Sequence, residues 1–247
     1  MAKFAVILPA AGRSSRFKDR EKKPFATLDG RAVWLRTAEL FVNRNDVAQI
    51  LIVIAADDVE TFRLRYTANI AFMNVKLVPG GRERWESVGN ALAEMSPEVD
   101  YVAVHDAVRP CVTTDLIDSV FAAARTHGAA LLATRLTETV KRVGDKLVVR
   151  ETVDRQGLWL AQTPQVFRRD WLTDAYARRA ELGREITDDA QLVEAAGHPV
   201  HVVEGAATNV KITTKDDLAL AAAILTSRPK PKGDRPFHPF AEEEMWK

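Results

Sequence analysis

The chain has 247 residues, of which 47% are apolar, and its formal net charge at pH 7 is +1. This is enough for one sizeable core, and the near-zero charge gives no indication of a nucleic acid or a membrane as partner. A single cysteine, Cys111, excludes an intrachain disulfide and is typical of a reducing compartment. No apolar run approaches the ~20 residues of a membrane span, and a strand from residue 4 leaves no room for a leader, so we expect a cytoplasmic protein.

The first predicted element is an apolar run at Phe4–Leu8, typical of a strand buried on both faces of a parallel sheet. The small residues after it, Pro9–Gly12, let a ligand approach the backbone closely, and basic residues follow, among them Arg16 and Lys23. Bunched N–H groups and cations favour a polyphosphate ligand. On these residues alone, a solvated basic loop is an equal alternative. The loop matches neither the P-loop motif nor G-x-G-x-x-G.

Predicted strands and helices then alternate along the chain. Strands are predicted at 50–55, 75–79, 101–106 and 129–134, and helices at 33–41, 59–66, 85–95 and 115–124. This alternation indicates βαβ units and an α/β fold with a mostly parallel sheet. In such sheets ligands bind beyond the carboxyl ends of the strands, where the first loop, Gly80-Gly81 and Asp106 fall.

The pattern changes after residue 134. Segments 139–143 and 147–153 predict a hairpin, which must pack on its own domain or on a second subunit because an isolated hairpin is marginal in water. We therefore expect one domain over residues 1–226 with an arm inserted at about 135–159, and a mobile tail over 227–247. The chain returns to the core at 162–167, and further elements are predicted as strands at 200–204 and 210–212 and helices at 171–182, 190–196 and 215–225.

Asp106 is the candidate metal ligand. A carboxylate at a strand's carboxyl end, facing a phosphate loop, suits Mg²⁺, which takes one or two carboxylates plus ligand phosphates. A plain turn or helix cap is the better interpretation of Asp106 without the first loop, and with that loop we favour the metal. His105 has no Ser or Cys partner in the pattern, so we expect a structural hydrogen-bonding role.

A series of short motifs occurs in a characteristic order over residues 4–225. The motifs are Pro9-Ala10-Ala11-Gly12-x-Ser14-x-Arg16, Lys23, Gly80-Gly81-x-x-Arg84-x-x-Ser87-Val88, Val104-His105-Asp106-Ala107-x-Arg109-Pro110, Thr139-Val140-Lys141, Arg155-x-x-Leu158-Trp159-x-Ala161-x-Thr163-Pro164-Gln165, Thr187-Asp188-Asp189 and Asn209-Val210-Lys211-Ile212-Thr213. Together they resemble the 2-C-methyl-D-erythritol 4-phosphate cytidylyltransferases of the non-mevalonate isoprenoid pathway. The first loop alone is shared by many nucleotidyltransferases, whereas the blocks around Trp159 and Asn209 are much more specific.

The resemblance implies a Rossmann-like nucleotidyltransferase domain whose hairpin arm crosses into the second subunit of a homodimer. It also implies an Mg²⁺-dependent enzyme that transfers CMP from CTP to methylerythritol phosphate and releases pyrophosphate. The acceptor phosphate would attack the α-phosphorus of CTP directly, with no covalent enzyme intermediate. Because the attacking phosphate is already ionised, such a transfer depends on positioning and on cations.

The resemblance also implies a role for each residue that matches a family motif. The catalytic residues would be Arg16 and Lys23, which stabilise the transition state, and Arg155 and Lys211, which position the acceptor. The nucleotide would be bound by Pro9, by the backbone N–H groups of Ala10, Ala11 and Gly12, and by Gly81, Ser87, Asp106 and Ala107, with Mg²⁺ on Asp106. The acceptor would also be held by Arg109, Thr139 and Thr187, with Thr139 and Arg155 serving the partner's site.

Some alternatives stay open from the sequence. Lys22 precedes Lys23, and Pro24 stands where the family often has glutamine, so either lysine could reach the α-phosphate, although the spacing favours Lys23. A cytidylyltransferase for another polyol phosphate, such as ribitol 5-phosphate, would share the CTP loop and the arm. A non-catalytic nucleotide-binding protein on the same fold is the alternative from a different class, and the pair Arg16 and Lys23 argues against it.

Overall fold

A seven-stranded sheet forms the centre of the structure, a computed structural model that describes residues 2–12, 17, 22–182 and 186–229. Its strands, and those of two small two-stranded sheets, are β1 (Phe4–Pro9), β2 (Thr27–Leu28), β3 (Arg31–Ala32), β4 (Val47–Ile54), β5 (Val75–Pro79), β6 (Tyr101–Val104), β7 (Ala129–Arg135), β8 (Val140–Val143), β9 (Val149–Val153), β10 (Trp159–Arg168) and β11 (His201–Glu204). The α-helices are α1 (Val33–Val42), α2 (Val59–Phe72), α3 (Arg84–Ala93), α4 (Thr114–His127), α5 (Arg169–Ala177), α6 (Asp189–Ala195) and α7 (Lys215–Ser227).

The central sheet has the strand order β11-β7-β10-β6-β1-β4-β5. β1 is parallel to both of its neighbours, β4 and β6, and the pairs β4–β5 and β7–β11 are parallel as well. β10 lies between β6 and β7 and runs antiparallel to both. β6 and β7 therefore point the same way and end at the same edge of the sheet. The predicted α/β fold with a mostly parallel sheet is therefore confirmed.

Burial explains why the first strand reads as an unbroken apolar run. All five residues of Phe4–Leu8 have no exposed surface, because β1 lies in the middle of the sheet and helices cover both faces. The two faces pack into separate apolar cores, one around Trp34 and Phe121 and the other around Val88 and Leu172. Central parallel strands covered in this way carry no polar alternation in their sequence.

A third, smaller core lies under α7. It contains Phe17, Val108, Cys111 and Ile212. Cys111 is a buried free thiol whose pKa is raised to about 11 by burial, as expected for a small core residue. Because Phe17, Val108 and Ile212 are neighbours in sequence of predicted site residues, this core fixes the base of the site.

Most predicted elements are confirmed within a few residues, and three are not. The helix predicted at 59–66 continues to Phe72, past non-helical backbone at Tyr66. The helix predicted at 171–182 ends as an α-helix at Ala177 and gives way to a 3₁₀ turn at Arg179–Leu182. The strand predicted at 210–212 is wrong, since this segment pairs with no strand in the described sheets. Instead Ile212 donates its backbone N–H to the Val108 carbonyl at 2.9 Å and buries its side chain under α7. Burial rather than a β-ladder accounts for its apolar residues.

The inserted arm is the β8–β9 hairpin, which forms its own two-stranded sheet. It leaves the central sheet where Arg135 pairs with Trp159, at the edge where β6 also ends. Four of its apolar side chains are exposed, namely Val143, Leu147, Val148 and Val149. Packing against its own domain, one of the two expected outcomes, is therefore wrong for these residues, and packing on a second subunit stays a prediction.

The last α-helix ends where the predicted tail begins. α7 ends at Ser227, and residues 230–247 of the predicted tail lie outside the described residues. Across the part of the chain that the structure describes, every helix is too short or too polar to cross a membrane.

Candidate active site

A cleft of about 410 Å³ opens at the edge of the sheet where β1, β5 and β6 end. Nine of the predicted site residues line it, from five separate segments: Pro9, Ala10, Ala11, Gly12, Lys23, Gly81, Ser87, Asp106 and Lys211. The topology explains why these five segments lie together, because parallel strands bring their carboxyl ends to one edge of the sheet. The predicted Arg16 lies outside the described residues.

The first loop continues β1 by one residue before it leaves the sheet. The Ala10 N–H donates to the Val53 carbonyl of β4 at 2.8 Å. The sheet therefore already uses this amide in the structure, and its contact with a phosphate stays a prediction. Ala10 is itself almost fully buried, so its contribution to the cleft is its small side chain, while Ala11 and Gly12 lie beyond the sheet edge.

The Gly80-Gly81 turn needs both of its glycines. A Cβ on Gly80 would lie 2.7 Å from the Ala11 Cβ, and one on Gly81 would lie 2.3 Å from the Glu86 Cβ. The first distance also shows that the turn packs directly against the first loop. Gly81 donates its N–H to the Ser87 hydroxyl at 3.1 Å, and this hydroxyl donates to the Glu83 carbonyl at 3.1 Å. Ser87 therefore holds the turn as well as lining the cleft.

The two adjacent lysines have different surroundings. Lys22 forms an ion pair with Asp58, which lies just before α2 and outside the cleft. Lys23 begins a 3₁₀ turn at Lys23–Phe25 and lines the cleft. Of the two candidates for contact with a phosphate, Lys23 is the one that the geometry favours.

Asp106 is the charged centre of the cleft. Its Oδ2 lies 2.9 Å from Lys211 Nζ and 3.3 Å from Arg109 Nε. Burial raises the pKa of this carboxyl, but the positive charges of Lys211, Arg84 and Arg109 outweigh it and hold the pKa well below its usual range. Asp106 is therefore ionised at neutral pH although it is only 6% exposed.

Two predicted ligand contacts in this loop are buried behind the cleft. Arg109 donates from Nη1 to the Asn209 carbonyl at 2.7 Å and is otherwise bonded to Asp106, so its guanidinium does not line the cleft. Ala107 is fully buried, and its carbonyl accepts a hydrogen bond from the Thr37 hydroxyl at 2.9 Å. In this structure both residues brace the loop around Asp106.

His105 links this loop to β10. Its Nδ1 lies 3.1 Å from the Thr163 hydroxyl, and its Nε2 lies 3.1 Å from the Arg109 carbonyl. The ring is completely buried, and burial lowers its pKa to about 4. The expected structural hydrogen-bonding role is therefore confirmed.

Three predicted acceptor contacts lie away from the cleft of their own chain. Thr139 is exposed just before β8, and Arg155 is exposed after β9, where its guanidinium donates to the Thr137 carbonyl. Both therefore lie at the base of the arm. Thr187 is exposed and donates from its hydroxyl to Gln191 at 3.2 Å, while the cap of α6 is the neighbouring Asp188.

Arg84 is a cleft residue to which we assigned no role from the sequence. Its Nη2 lies 2.7 Å from Asp189 Oδ2, and the Tyr176 hydroxyl donates to the other oxygen of Asp189 at 2.5 Å. Burial lowers the pKa of Arg84, but the carboxylates of Asp189 and Asp106 outweigh it and raise that pKa. The sequence carried a signal for this ion pair, because Arg84 and Asp189 both belong to motifs of the family resemblance. The other lining residues without a predicted role are Pro24, Arg82, Glu83 and Val108.

A largely parallel sheet with this cleft defines a Rossmann-like α/β protein of the nucleotidyltransferase type. The small-residue loop, the Gly-Gly turn, Lys23, and Lys211 paired with the buried Asp106 all lie at this edge of the sheet. The model of the 2-C-methyl-D-erythritol 4-phosphate cytidylyltransferase family matches residues 4–227. The chain belongs to this family.

Individual relatives agree over most of their length. The 2-C-methyl-D-erythritol 4-phosphate cytidylyltransferase of Rhodopirellula baltica is 43% identical over 236 residues, covering 91% of this chain and 95% of the relative. The crystal structure of the enzyme of that name from Francisella tularensis is 33% identical, with a TM-score of 0.76 over 90% of this chain and 100% of that one. A bifunctional enzyme IspD/IspF of Desulforudis audaxviator is 43% identical over 230 residues, and the match covers 58% of its length.

Proposed function

We propose that this chain transfers CMP from CTP to 2-C-methyl-D-erythritol 4-phosphate and releases pyrophosphate. The observation that carries this proposal is the family match over residues 4–227 together with the cleft. Lys23, Asp106 and Lys211 come from three distant segments and face the same cavity as the first loop. The relatives named above supply the identity of the acceptor.

The chemistry requires two anions to meet, because a phosphate must attack a triphosphate. Lys23 and Lys211 line the cleft with positive charge, and the resemblance adds Arg16. Cations held in place offset the charge that builds at the α-phosphorus and need no reorganisation during the reaction. Asp106 holds the Lys211 ammonium by a 2.9 Å ion pair, which fixes its direction.

Mg²⁺ is the cofactor that we propose for this site. Asp106 offers an ionised carboxylate at the cleft, and its described ion pairs run through Oδ2. Mg²⁺ takes one or two carboxylates together with ligand phosphates, so Asp106 and the phosphates of the nucleotide would hold the ion. When bound, the ion would neutralise phosphate charge.

A homodimer is the assembly that we propose. The arm exposes Val143, Leu147, Val148 and Val149, a surface that a second subunit would cover. Thr139 and Arg155 lie at the base of the same arm and away from the cleft of their own chain. We therefore assign these two residues to the partner's cleft. A cytoplasmic location stays a prediction from the sequence.

Pyrophosphate release tests the proposed reaction. The chain is incubated with CTP and Mg²⁺, and with either methylerythritol phosphate or ribitol 5-phosphate in parallel. We expect turnover with methylerythritol phosphate, and a loss of roughly 10²- to 10³-fold in kcat for Lys23→Ala. Lys22→Ala is the matched control and should stay near the wild-type rate, because Lys22 pairs with Asp58 outside the cleft. A preference for ribitol 5-phosphate, or no release from a folded chain that binds CTP, would overturn the proposal.

A further inference from the structure

A chain of buried hydrogen bonds connects the two ends of the loop that carries Asp106 and Arg109. The Asp106 N–H donates to the Thr163 hydroxyl at 3.1 Å, and that hydroxyl lies 3.1 Å from His105 Nδ1. On the other side of the ring, Nε2 lies 3.1 Å from the Arg109 carbonyl. The path therefore runs from the backbone of Asp106 to the backbone of Arg109 through two side chains.

The chemistry of the groups fixes where each proton lies. A carbonyl oxygen can only accept, so the ring nitrogen that faces it, Nε2, carries a proton. The ring is completely buried, which disfavours its charged form, and Nδ1 of the neutral ring is then an acceptor. The Thr163 hydroxyl consequently donates to Nδ1 while it accepts from the Asp106 N–H. All the bonds in this path point in one direction.

We propose that His105, in its Nε2-protonated tautomer, and Thr163 are positioning residues that set the orientation of Asp106 in the cleft and of Arg109 behind it. This inference rests on the proposed function, because the proposed reaction is what gives the orientation of Asp106 and Arg109 a role. Neither side chain lines the cleft among the described residues, so both act through the loop and not by contact with substrate.

The irregular part of β10 is what makes the path possible. The register between β10 and β7 shifts between Ala161 and Gln165, so Thr163 lies in a bulge. Its carbonyl accepts from the Asn209 side chain at 2.9 Å, which anchors the bulge from the segment that also carries Lys211. A bulge that re-aims one side chain toward the neighbouring strand is typical of strands next to active sites.

Other bonds brace the same loop, so the path completes a rigid frame. Arg109 donates its N–H to the Asp106 carbonyl at 3.0 Å, and the Ala107 and Val108 carbonyls accept from Thr37 and Ile212. Among the described bonds, the Thr163 hydroxyl pairs the Asp106 amide of this turn and the His105 ring pairs its Arg109 carbonyl. Removal of groups that support functional residues in this way commonly lowers activity roughly 10- to 100-fold.

Nitrogen NMR of the histidine rings tests the proton assignment without any turnover. At neutral pH we expect His105 to show a protonated, pyrrole-type Nε2 and an unprotonated Nδ1. His105→Asn identifies its signals, and His127→Gln, at the exposed end of α4, is the matched control. A ring protonated on Nδ1, or on both nitrogens, would overturn the proposal.

Four variants then test the hydrogen bonds of Thr163 and of His105 one at a time. Thr163→Ser keeps the hydroxyl and should stay near wild type, whereas Thr163→Val should lower kcat/KM roughly 10- to 100-fold and speed hydrogen exchange of the Asp106 amide. His105→Gln retains a donor near Nε2 and His105→Asn retains an acceptor near Nδ1, so each should lose only part of the activity. Equal kcat/KM for folded Thr163→Val and Thr163→Ser would overturn the positioning role. If the wild type turns over neither acceptor, the proposed function fails. The tautomer of the His105 ring and the exchange rate of the Asp106 amide would still decide whether the hydrogen-bond path exists.

Discussion

Lys211 Nζ lies 2.9 Å from Asp106 Oδ2, which joins the segment after β11 to the end of β6. This ion pair fixes the only charged side chain that the late part of the chain contributes to the lining of the cleft, as far as the described residues extend. Lys211 is half-exposed while Asp106 is nearly buried, so the ammonium can serve an incoming anion and keep its carboxylate partner.

Removal of the Lys211 ammonium should therefore affect turnover more than folding. For Lys211→Ala we expect a loss of roughly 10²-fold or more in kcat, because a fixed positive charge opposite two reacting phosphates is lost. Steady-state pyrophosphate release measures this, with Lys215→Ala at the start of α7 as a control outside the lining of the cleft. An unchanged kcat in a folded Lys211→Ala protein would contradict the role assigned to this residue.

Mixing two inactive variants tests whether the arm serves the partner's site. Arg155→Ala removes an arm residue and Lys211→Ala removes a cleft residue, so each homodimer should be inactive. A mixed dimer should contain one intact site, and random mixing should restore about a quarter of the wild-type activity. Pyrophosphate release after joint refolding measures the restoration. Two clefts that each use their own Arg155 would give no recovery, and that result would exclude the shared site.

The Arg84–Asp189 pair predicts a coupled effect on stability. Asp189 is 1% exposed, so Arg84→Ala should leave this buried carboxylate without its ion-pair partner and cost about 3 kcal/mol of unfolding free energy. The double variant Arg84→Ala, Asp189→Ala should be less destabilised than the sum of the single variants. Urea unfolding curves of the four proteins measure this. Additive losses would mean that the two side chains are not energetically coupled.

The first turn of α7 predicts a pH-dependent contribution to stability. The Asp217 carboxylate accepts from the backbone N–H groups of Thr213 and Thr214 at 2.8 Å each. Burial raises the pKa of Asp217, but these bonds and those of the two hydroxyls outweigh it and lower the pKa to about 2, against an ordinary 3.8. The stabilisation is therefore complete above the unfolded pKa and is lost as the pH falls through the folded one.

Asp217→Asn measures this contribution. At pH 7 the substitution should cost about 1 kcal/mol, which is typical for a helix cap. The difference from wild type should shrink between about pH 4 and pH 2. Asp216→Asn, one residue earlier in the same helix turn, is the control, and thermal unfolding across this pH range is the measurement. A cost that does not change with pH would contradict the assignment.

Some of the site could be predicted because its signals are local. The double glycine at residues 80–81 is required by close packing against Ala11 and Glu86. Asp106 follows a strand whose apolar run is visible in the sequence, and its edge position follows from parallel topology. The spacing in the sequence favours Lys23 over Lys22, but the contact that separates the two lysines in the structure is with Asp58, from another segment.

The sequence by itself determined the alternation of strands and helices, the edge at which the candidate site lies and the family, because apolar runs, turn residues and motif order can be read along the chain. Only the tertiary structure decided which side chains pair. β10 enters between β6 and β7, and this placement brings Thr163 to His105 and Asp106. The same holds for Arg84 with Asp189 and for Lys211 with Asp106. Such contacts depend on strand order and on a bulge, which local periodicity does not encode, because residues far apart in sequence meet only after the sheet has formed.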